Sequence, residues 1–214
     1  LMFSPGVGPR PRLLLLANLN SLAADYAARQ KVGGTHIAYN LLKQFTVLQP
    51  NTWTTNSLRT GITSLAEALL LLAIELVYTT KDLASLAKDC GDDGPPFLWD
   101  DERRFEIRCE LDAAFFHLYL PADNDGHWRP AEAETAKQLE TLKTHFPTPR
   151  HAVGFILDQF PLVRQKDERA HGCYRTKERI LEIHDAMLAA QCSGKPYEST
   201  LNPPPGQGPR AAKA

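Results

Sequence analysis

Apolar residues recur at helical spacing soon after the chain begins. One stripe falls at i, i+4, i+7 and i+11, namely Leu15, Leu19, Leu22 and Tyr26. This 3.6-residue period predicts a first helix from Leu13 to about Lys31. Residues 1–12 are rich in Gly and Pro, so no regular element is expected to begin there. Gly33 or Gly34 is expected to supply a left-handed cap at the end of this helix.

The residues after the two glycines predict a small mixed α/β piece. Thr35 can cap a short helix, whose expected buried positions are Ile37, Leu41 and Leu42. Phe45 and Val47, followed by Pro50, indicate a short strand or an extended exit. The threonine-rich residues 51–63 are typical of a loop.

Longer helices are predicted beyond residue 64. The first helical region runs from about Ser64 to Asp89, with a break near Thr79–Thr80, and the sequence GDDGPP (91–96) then ends it. Asp100 or Asp101 is expected to cap a helix that continues to about Tyr119. This helix has a broad apolar face, outside which four charged residues are expected to lie: Glu106, Arg108, Glu110 and Asp112.

The last third of the chain alternates between shorter helices and turns. Residues 131–146 predict a surface helix, residues 151–159 a short helix, and residues 167–172 a charged turn. Thr176 is expected to cap a final helix whose buried face holds Ile180, Ile183 and Met187. After Gly194 the composition turns to Pro, Gly and Ala, which predicts a mobile tail.

Taken together, the pattern predicts a mainly α fold: a helical C-terminal domain preceded by a small α/β N-terminal piece. We divide the chain at residues 1–50, 51–192 and 193–214, the last range being a flexible Pro/Gly-rich tail.

Charge is unevenly distributed along the chain. The net charge of the 214 residues is −1, but the first 60 residues hold six basic residues and one acidic residue, which gives +5. The remaining 18 basic and 24 acidic residues give −6. Such asymmetry indicates a polyanion-facing N-terminal end and a solvated, acidic remainder. The alternative is chance clustering of basic residues.

The stretch ARQKVGGTHIAYNLLKQ (28–44) lies within the basic end and supports two interpretations. A helix N-terminus preceded by glycines can hold an anion, with Arg29, Lys31 and His36 as surrounding donors. The other interpretation is a glycine hinge between two helices whose charges face solvent. On its own residues, the stretch favours the hinge.

Other chemistry is poorly supported by the sequence. The four cysteines form no CxxC pair, which favours reduced thiols in a cytoplasmic protein. No apolar run approaches the roughly 20 residues of a membrane span, and no signal peptide is visible. Asp123–His127 has its glycine at the wrong position for a calcium loop and is interpreted as an exposed turn. We therefore predict no catalytic residue, no metal site and no bound cofactor in this chain.

Three long blocks resemble one protein family. ANLNSLAADYAARQKVGGTHIAYNLLKQFTVLQP (17–50) resembles the end of the target-recognition region of type IIG restriction–modification N-6 adenine DNA methyltransferases. GPPFLWDDERRFEIRCELDAAFFHLYL (94–120) resembles the helical segment that follows it. Residues 155–187 and the NPPP of the tail are similar to the family's C-terminus. The lead-in at 1–12, the stretch around 56–75 and the longer residues 121–150 depart from the family's pattern.

The resemblance implies double-stranded DNA as a partner and an upstream methyltransferase domain as another. The family's S-adenosylmethionine loop and its Asn-Pro-Pro-Tyr motif would both lie before Leu1, so we expect no methyl transfer by this chain alone. Pro205 replaces the aromatic residue in Asn202-Pro203-Pro204-Pro205, which is therefore interpreted as tail sequence. The expected DNA contacts come from one segment: Arg29, Lys31, Gly33, Gly34, Thr35, His36, Asn40 and Lys43. A helical protein–protein interaction scaffold with no DNA role is the alternative.

Overall fold

In the computed structural model, the described residues are 6–34, 37, 39–49, 52, 64–129 and 136–212, and they are mainly helical. The helices are Pro9–Leu19 (α1), Leu22–Arg29 (α2), Tyr39–Leu42 (α3), Leu65–Val77 (α4), Ala84–Asp89 (α5), Asp101–Tyr119 (α6), Ala136–His145 (α7), Pro149–Asp158 (α8), Pro161–His171 (α9) and Arg175–Ser193 (α10). A 3-10 turn, Lys81–Leu83, precedes α5.

The core is built around α6 and α10, which form the most extensive helix pair. Phe115 and Phe116 of α6 are fully buried, and Ile180 of α10 is also fully buried. Helix α1 packs on α4, and Leu13 and Leu14 belong to the same apolar cluster as the α6 phenylalanines. The first two helices therefore share one core with the later ones, and no gap in the core marks the predicted boundary at residue 50.

The helix starts predicted from capping residues are confirmed in two places. Asp100 accepts a hydrogen bond from the Arg103 backbone N–H at 2.9 Å and caps α6. Ser64 Oγ accepts one from the Glu67 backbone N–H at 3.2 Å and caps α4. The predicted break near Thr79–Thr80 is also present, because α4 ends at Val77.

The predicted first helix is wrong in its limits. Pro9 begins α1 earlier than expected, since a proline fits the first helical position, where no intrahelical N–H bond is needed. Ser21 then interrupts the helix by capping α2 with its side chain. The predicted apolar stripe is also shifted: Leu13 and Leu14 are buried, whereas Leu19 is 39% exposed.

The small α/β N-terminal piece is not present in the described residues. Phe45 and Val47 lie in no strand, and the described part of the chain holds only isolated antiparallel bridges, Phe97 with Arg210 and Ala122 with Trp128. Ile37, predicted to be buried, is 57% exposed. The predicted loop 51–63 and the start of the predicted helix 131–146 lie outside the described residues, except for Thr52.

Two later predictions also need correction. The predicted charged turn at 167–172 is the end of α9, which stops at a left-handed Gly172. Glu110 was expected to lie outside the apolar face of α6 but is only 4% exposed. Its carboxylate accepts a hydrogen bond from Ser199 at 2.6 Å, so a tail residue satisfies this buried group.

The tail packs against the helices, whereas its composition predicted a free segment. Tyr197 and Leu201 are buried. Arg210 binds Asp92 through both guanidinium Nη atoms, at 3.0 and 2.6 Å, and its guanidinium carbon lies 3.7 Å from the centre of the Phe97 ring. Charged side chains of the helical core thus hold a segment that has few apolar residues of its own.

Candidate functional site

The predicted DNA-contacting segment follows α2, whose start is fixed to the core. Ser21 Oγ donates to the Asn18 carbonyl at 2.8 Å and accepts from the Ala24 N–H at 3.2 Å. The Leu22 N–H donates to Asp112 Oδ1 of α6 at 2.7 Å. These bonds satisfy backbone groups that the start of a helix leaves without intrahelical partners. The orientation of α2, and of the segment it carries, is therefore set by α6.

The far end of the segment is also held by α6. The Tyr119 hydroxyl donates to the Thr46 carbonyl at 3.0 Å, and Asn18 Nδ2 donates to the same hydroxyl at 3.1 Å. Leu48 packs against the apolar core. We call residues 29–43 the cationic turn. It is fixed before its start by α2 and beyond its end by Tyr119.

Three of the predicted contact residues lie open to solvent at the centre of the cationic turn. Lys31, Gly33 and Gly34 are exposed, and a Cβ atom placed on either glycine would meet no atom within 4 Å. Lys31 has no side-chain hydrogen bond or ion pair to any described residue. The predicted left-handed cap is wrong, because neither glycine has a positive φ and α2 ends at Arg29 with Gln30 as its cap.

Arg29, Lys43 and Asn40 differ in how free they are to bind. Arg29 pairs with Asp25 at 2.8 Å and lies 5.0 Å from the centre of the Phe160 ring; the hydrogen bond from Asp25 raises the pKa of Arg29. Lys43 Nζ lies 4.5 Å from the Tyr39 ring centre, and Asn40 is exposed. Such exposed pairs contribute about 0–1 kcal/mol, so a phosphate can displace them. The predicted contacts Thr35 and His36 lie outside the described residues.

The electrostatics of the cationic turn differ from the expected helix N-terminus. The glycines follow the C-terminal end of α2, where carbonyl groups give a partial negative charge. Helix α3 begins only at Tyr39 and has four residues. The attraction for an anion therefore comes from the side chains of Lys31 and Lys43 and from exposed backbone amides, and not from a helix dipole.

The structure adds a groove that sequence patterns did not reveal. A cavity of about 740 Å³ lies between the start of α2, α6 and α9, and its lining includes Leu22, Arg108, Asp112, Leu162 and Lys166. We call it the α2–α9 groove. Its residues come from helices separated by more than 40 positions along the chain, so no local motif could have indicated it. A neighbouring apolar cavity of about 310 Å³ shares Asn20, Arg108 and Asp112 with it.

Asp112 links the groove to the cationic turn because it holds the start of α2. Burial raises its pKa to about 7, although the Leu22 N–H and the nearby Arg108 both act in the opposite direction. A neutral carboxyl still accepts the Leu22 hydrogen bond, so the anchor does not require the charge.

A third cavity, of about 400 Å³, lies under the described part of the loop after α6. It is lined mainly by aromatic and aliphatic side chains, among them Tyr26, Tyr119, Trp128, Phe146 and Phe155. Trp128 and Tyr119 use their polar atoms on backbone carbonyls, of Phe146 and Thr46 respectively. The cavity therefore presents mostly apolar surface.

Two buried histidines on α6 and α10 stack on each other. The rings of His117 and His184 are 3.9 Å apart and nearly parallel. His117 Nε2 bonds to the His184 carbonyl at 2.9 Å, whereas neither ring nitrogen of His184 has a hydrogen-bond partner. Burial lowers the pKa of both rings, for His117 to about 4. The pair is neutral at pH 7 and inaccessible to a substrate.

Metal ligation and membrane insertion find no support within the described ranges. No three side chains of His, Cys, Asp or Glu there are arranged to hold a metal ion. Asp123, from the calcium-like DNDGH sequence, instead accepts backbone hydrogen bonds from Asp125 and His127. None of the helices described there has the length and apolarity that a bilayer crossing needs.

Comparison with protein-family models, with curated proteins and with solved structures gives no match. The family resemblance of residues 17–50, 94–120 and 155–187 therefore stays a prediction that depends on those residues alone.

Proposed function

We propose that this chain is the DNA-binding, target-recognition C-terminal portion of an S-adenosylmethionine-dependent adenine-specific DNA methyltransferase of a restriction–modification system. The observation that carries the DNA-binding part is the cationic turn: Lys31 and the two glycines are exposed, while both flanks of the turn are fixed to α6. A surface held in this way loses little conformational freedom on binding, which favours affinity.

In this proposal, Lys31, Lys43 and the amides of Gly33 and Gly34 contact phosphate. Arg29 exchanges Asp25 for a phosphate oxygen, and Asn40 and His36 are available for base edges or phosphate. Phosphate contacts position a protein on DNA, and base-edge contacts give sequence choice. The methyl donor and the catalytic residues belong to the upstream domain, into which the target adenine would be flipped.

The proposal is tested by anisotropy titration of a labelled random-sequence duplex at several salt concentrations. Each phosphate contact contributes about 0.9 to the slope of log K against log salt. Lys31→Ala should therefore lower that slope by about 0.9 and weaken binding equally on all sequences. Lys88→Ala is the matched control, since Lys88 is also exposed but lies on α5, outside the cationic turn.

Salt-insensitive or absent binding by the unmodified chain would contradict DNA contact and favour the protein-interaction scaffold. Equal slopes for Lys31→Ala, Lys88→Ala and the unmodified chain would place the DNA surface elsewhere.

A further inference from the structure

The α2–α9 groove contains two cations without partners. Arg108 and Lys166 both line it and both are exposed. Neither makes a hydrogen bond or an ion pair with any residue that the structure describes. By contrast, Arg164 on the same helix as Lys166 is paired with Glu168 at 2.7 Å. Arg108 and Lys166 are therefore available for an external anion.

The acidic residues of the groove are engaged in other interactions. Glu102 is paired with Arg175. Asp167 accepts a hydrogen bond from the Thr176 N–H at 2.6 Å, in the first turn of α10. Asp112 accepts one from Leu22, the first residue of α2, and Asp101 is the first residue of α6. These three aspartates all lie at helix N-termini, each of which carries about half a positive charge.

These interactions leave an excess of positive charge at the mouth of the groove. The Glu102–Arg175 pair is neutral, and each of the three aspartates is partly offset by a helix N-terminus. Asp112 carries less than a full negative charge near pH 7, because burial raises its pKa to about 7. Arg108 and Lys166 have no such compensation.

The groove and the cationic turn lie at opposite ends of α2. Leu22, at the start of α2, lines the groove, whereas Arg29, at its end, lies over Phe160, the residue that precedes α9. An eight-residue helix is about 12 Å long. Duplex DNA carries one charge per roughly 1.7 Å of its axis, so this distance corresponds to about seven phosphates. One duplex is long enough to contact both sites.

We propose that Arg108 and Lys166 form a second DNA-backbone contact, so that the duplex is held at both ends of α2. This inference rests on the proposed function and extends it to a surface more than 60 residues further along the chain. The contact is to phosphate and is independent of sequence, and it fixes the angle between the duplex and the cationic turn.

The test uses the full chain and the labelled random duplex between about 50 and about 200 mM salt. Arg108→Ala and Lys166→Ala should each lower the salt slope by about 0.9, and the double variant by about 1.8. The matched control is Arg164→Ala, which removes a paired cation from the same helix as Lys166 and should leave the slope unchanged. Thermal unfolding of each variant confirms that the fold is retained.

The outcomes separate this inference from the proposed function. If Lys31→Ala lowers the slope but Arg108→Ala and Lys166→Ala do not, the groove contact is overturned and the cationic turn stands. If the groove variants lower the slope by more than Arg164→Ala does, the groove contact is supported whatever Lys31→Ala does. A slope loss equal to that of Arg164→Ala means only a general charge effect and overturns the groove contact. Salt-insensitive binding by the unmodified chain overturns both proposals.

Discussion

Asp112 Oδ1 accepts the backbone N–H of Leu22 at 2.7 Å, and this bond joins α6 to the first residue of α2. Its position gives a buried carboxyl group a structural role: it supplies the partner that the first N–H of α2 lacks within its own helix. The same carboxyl group lines both the α2–α9 groove and the neighbouring apolar cavity.

Replacing Asp112 tests whether the hydrogen bond or the charge is needed. Asp112→Ala leaves the Leu22 N–H without its partner, so we expect a loss of about 2 kcal/mol in the free energy of unfolding. Asp112→Asn retains an oxygen acceptor and should cost less than half as much at pH 7. Urea denaturation of both variants measures this, and equal losses would contradict the role of the hydrogen bond.

The pH dependence of the same pair has a definite sign. The pKa of Asp112 is raised from 3.8 to about 7 by burial, so the folded chain binds a proton there that the unfolded chain does not. Stability from this group is therefore present below about pH 4 and is lost as pH rises towards 7. Asp112→Asn should gain stability relative to the unmodified chain as pH increases from 5 to 7. No change in the difference between the two would contradict the raised pKa.

The buried His117–His184 pair predicts the opposite dependence on pH. Burial lowers the pKa of both rings, so the unfolded chain binds protons below about pH 6.5 that the folded chain does not. Their contribution to stability is present above that pH and falls by about 1.4 kcal/mol per pH unit for each ring on acidification. Asp185 and Arg150, the charged groups beside His184, act against each other.

His184→Phe removes one of these titrating rings and retains an aromatic ring for stacking. The His184 carbonyl that binds His117 is also retained. The variant should gain about 1.4 kcal/mol of stability relative to the unmodified chain for each pH unit between about 6 and about 4.5. Denaturation curves at three pH values measure this gain. A constant difference between the two proteins would show that His184 does not titrate on unfolding.

The tail is held by Arg210 and Asp92, and this pair predicts a measurable coupling. The side chains are 23% and 14% exposed, so water screens the pair only partly. Asp92→Ala and Arg210→Ala should each reduce the free energy of unfolding by about 1–3 kcal/mol. In a double-mutant cycle, the coupling should exceed the roughly 0–1 kcal/mol of an exposed pair. A coupling near zero would mean that the tail is held by its other contacts.

The parts of the fold that were predictable are those with a local signal. Asp100 and Ser64 cap their helices as the sequence indicates, and Ile180, Ile183 and Met187 form a buried face at helical spacing. Local pattern failed where a distant residue decides the outcome. Glu110 is buried because Ser199 reaches it from 89 positions away, and the Pro/Gly-rich tail is packed because Asp92 and Glu75 bind it.

The candidate site follows the same division. The exposed Lys31 and glycines were foreseen from composition and resemblance, since a loop signal is local. The anchors at Asp112 and Tyr119, and the unpaired Arg108 and Lys166, come from helices far along the chain. Their side chains meet only after the core has formed, and a single sequence does not record such pairings.

Two glycines with similar backbone angles allow the packing of the tail to be measured separately from strain. Gly206 and Gly172 have φ values of 76° and 77°, where any other residue costs about 1–2 kcal/mol. A Cβ on Gly172 would meet nothing within 4 Å, but one on Gly206 would lie 2.8 Å from Leu71 Cδ2 of α4. Gly172→Ala should therefore cost about 1 kcal/mol, and Gly206→Ala about 1–3 kcal/mol more, because Leu71 must shift within its packing.

Chemical denaturation of the two alanine variants gives this difference directly. Strain from the backbone conformation is common to both, so the excess for Gly206→Ala reports contact between the tail and α4. Adding Leu71→Ala to Gly206→Ala makes room for the new methyl group and should recover most of that excess, measured against Leu71→Ala alone. If the two glycine variants lose equal stability, residues around 206 do not pack on α4 in solution.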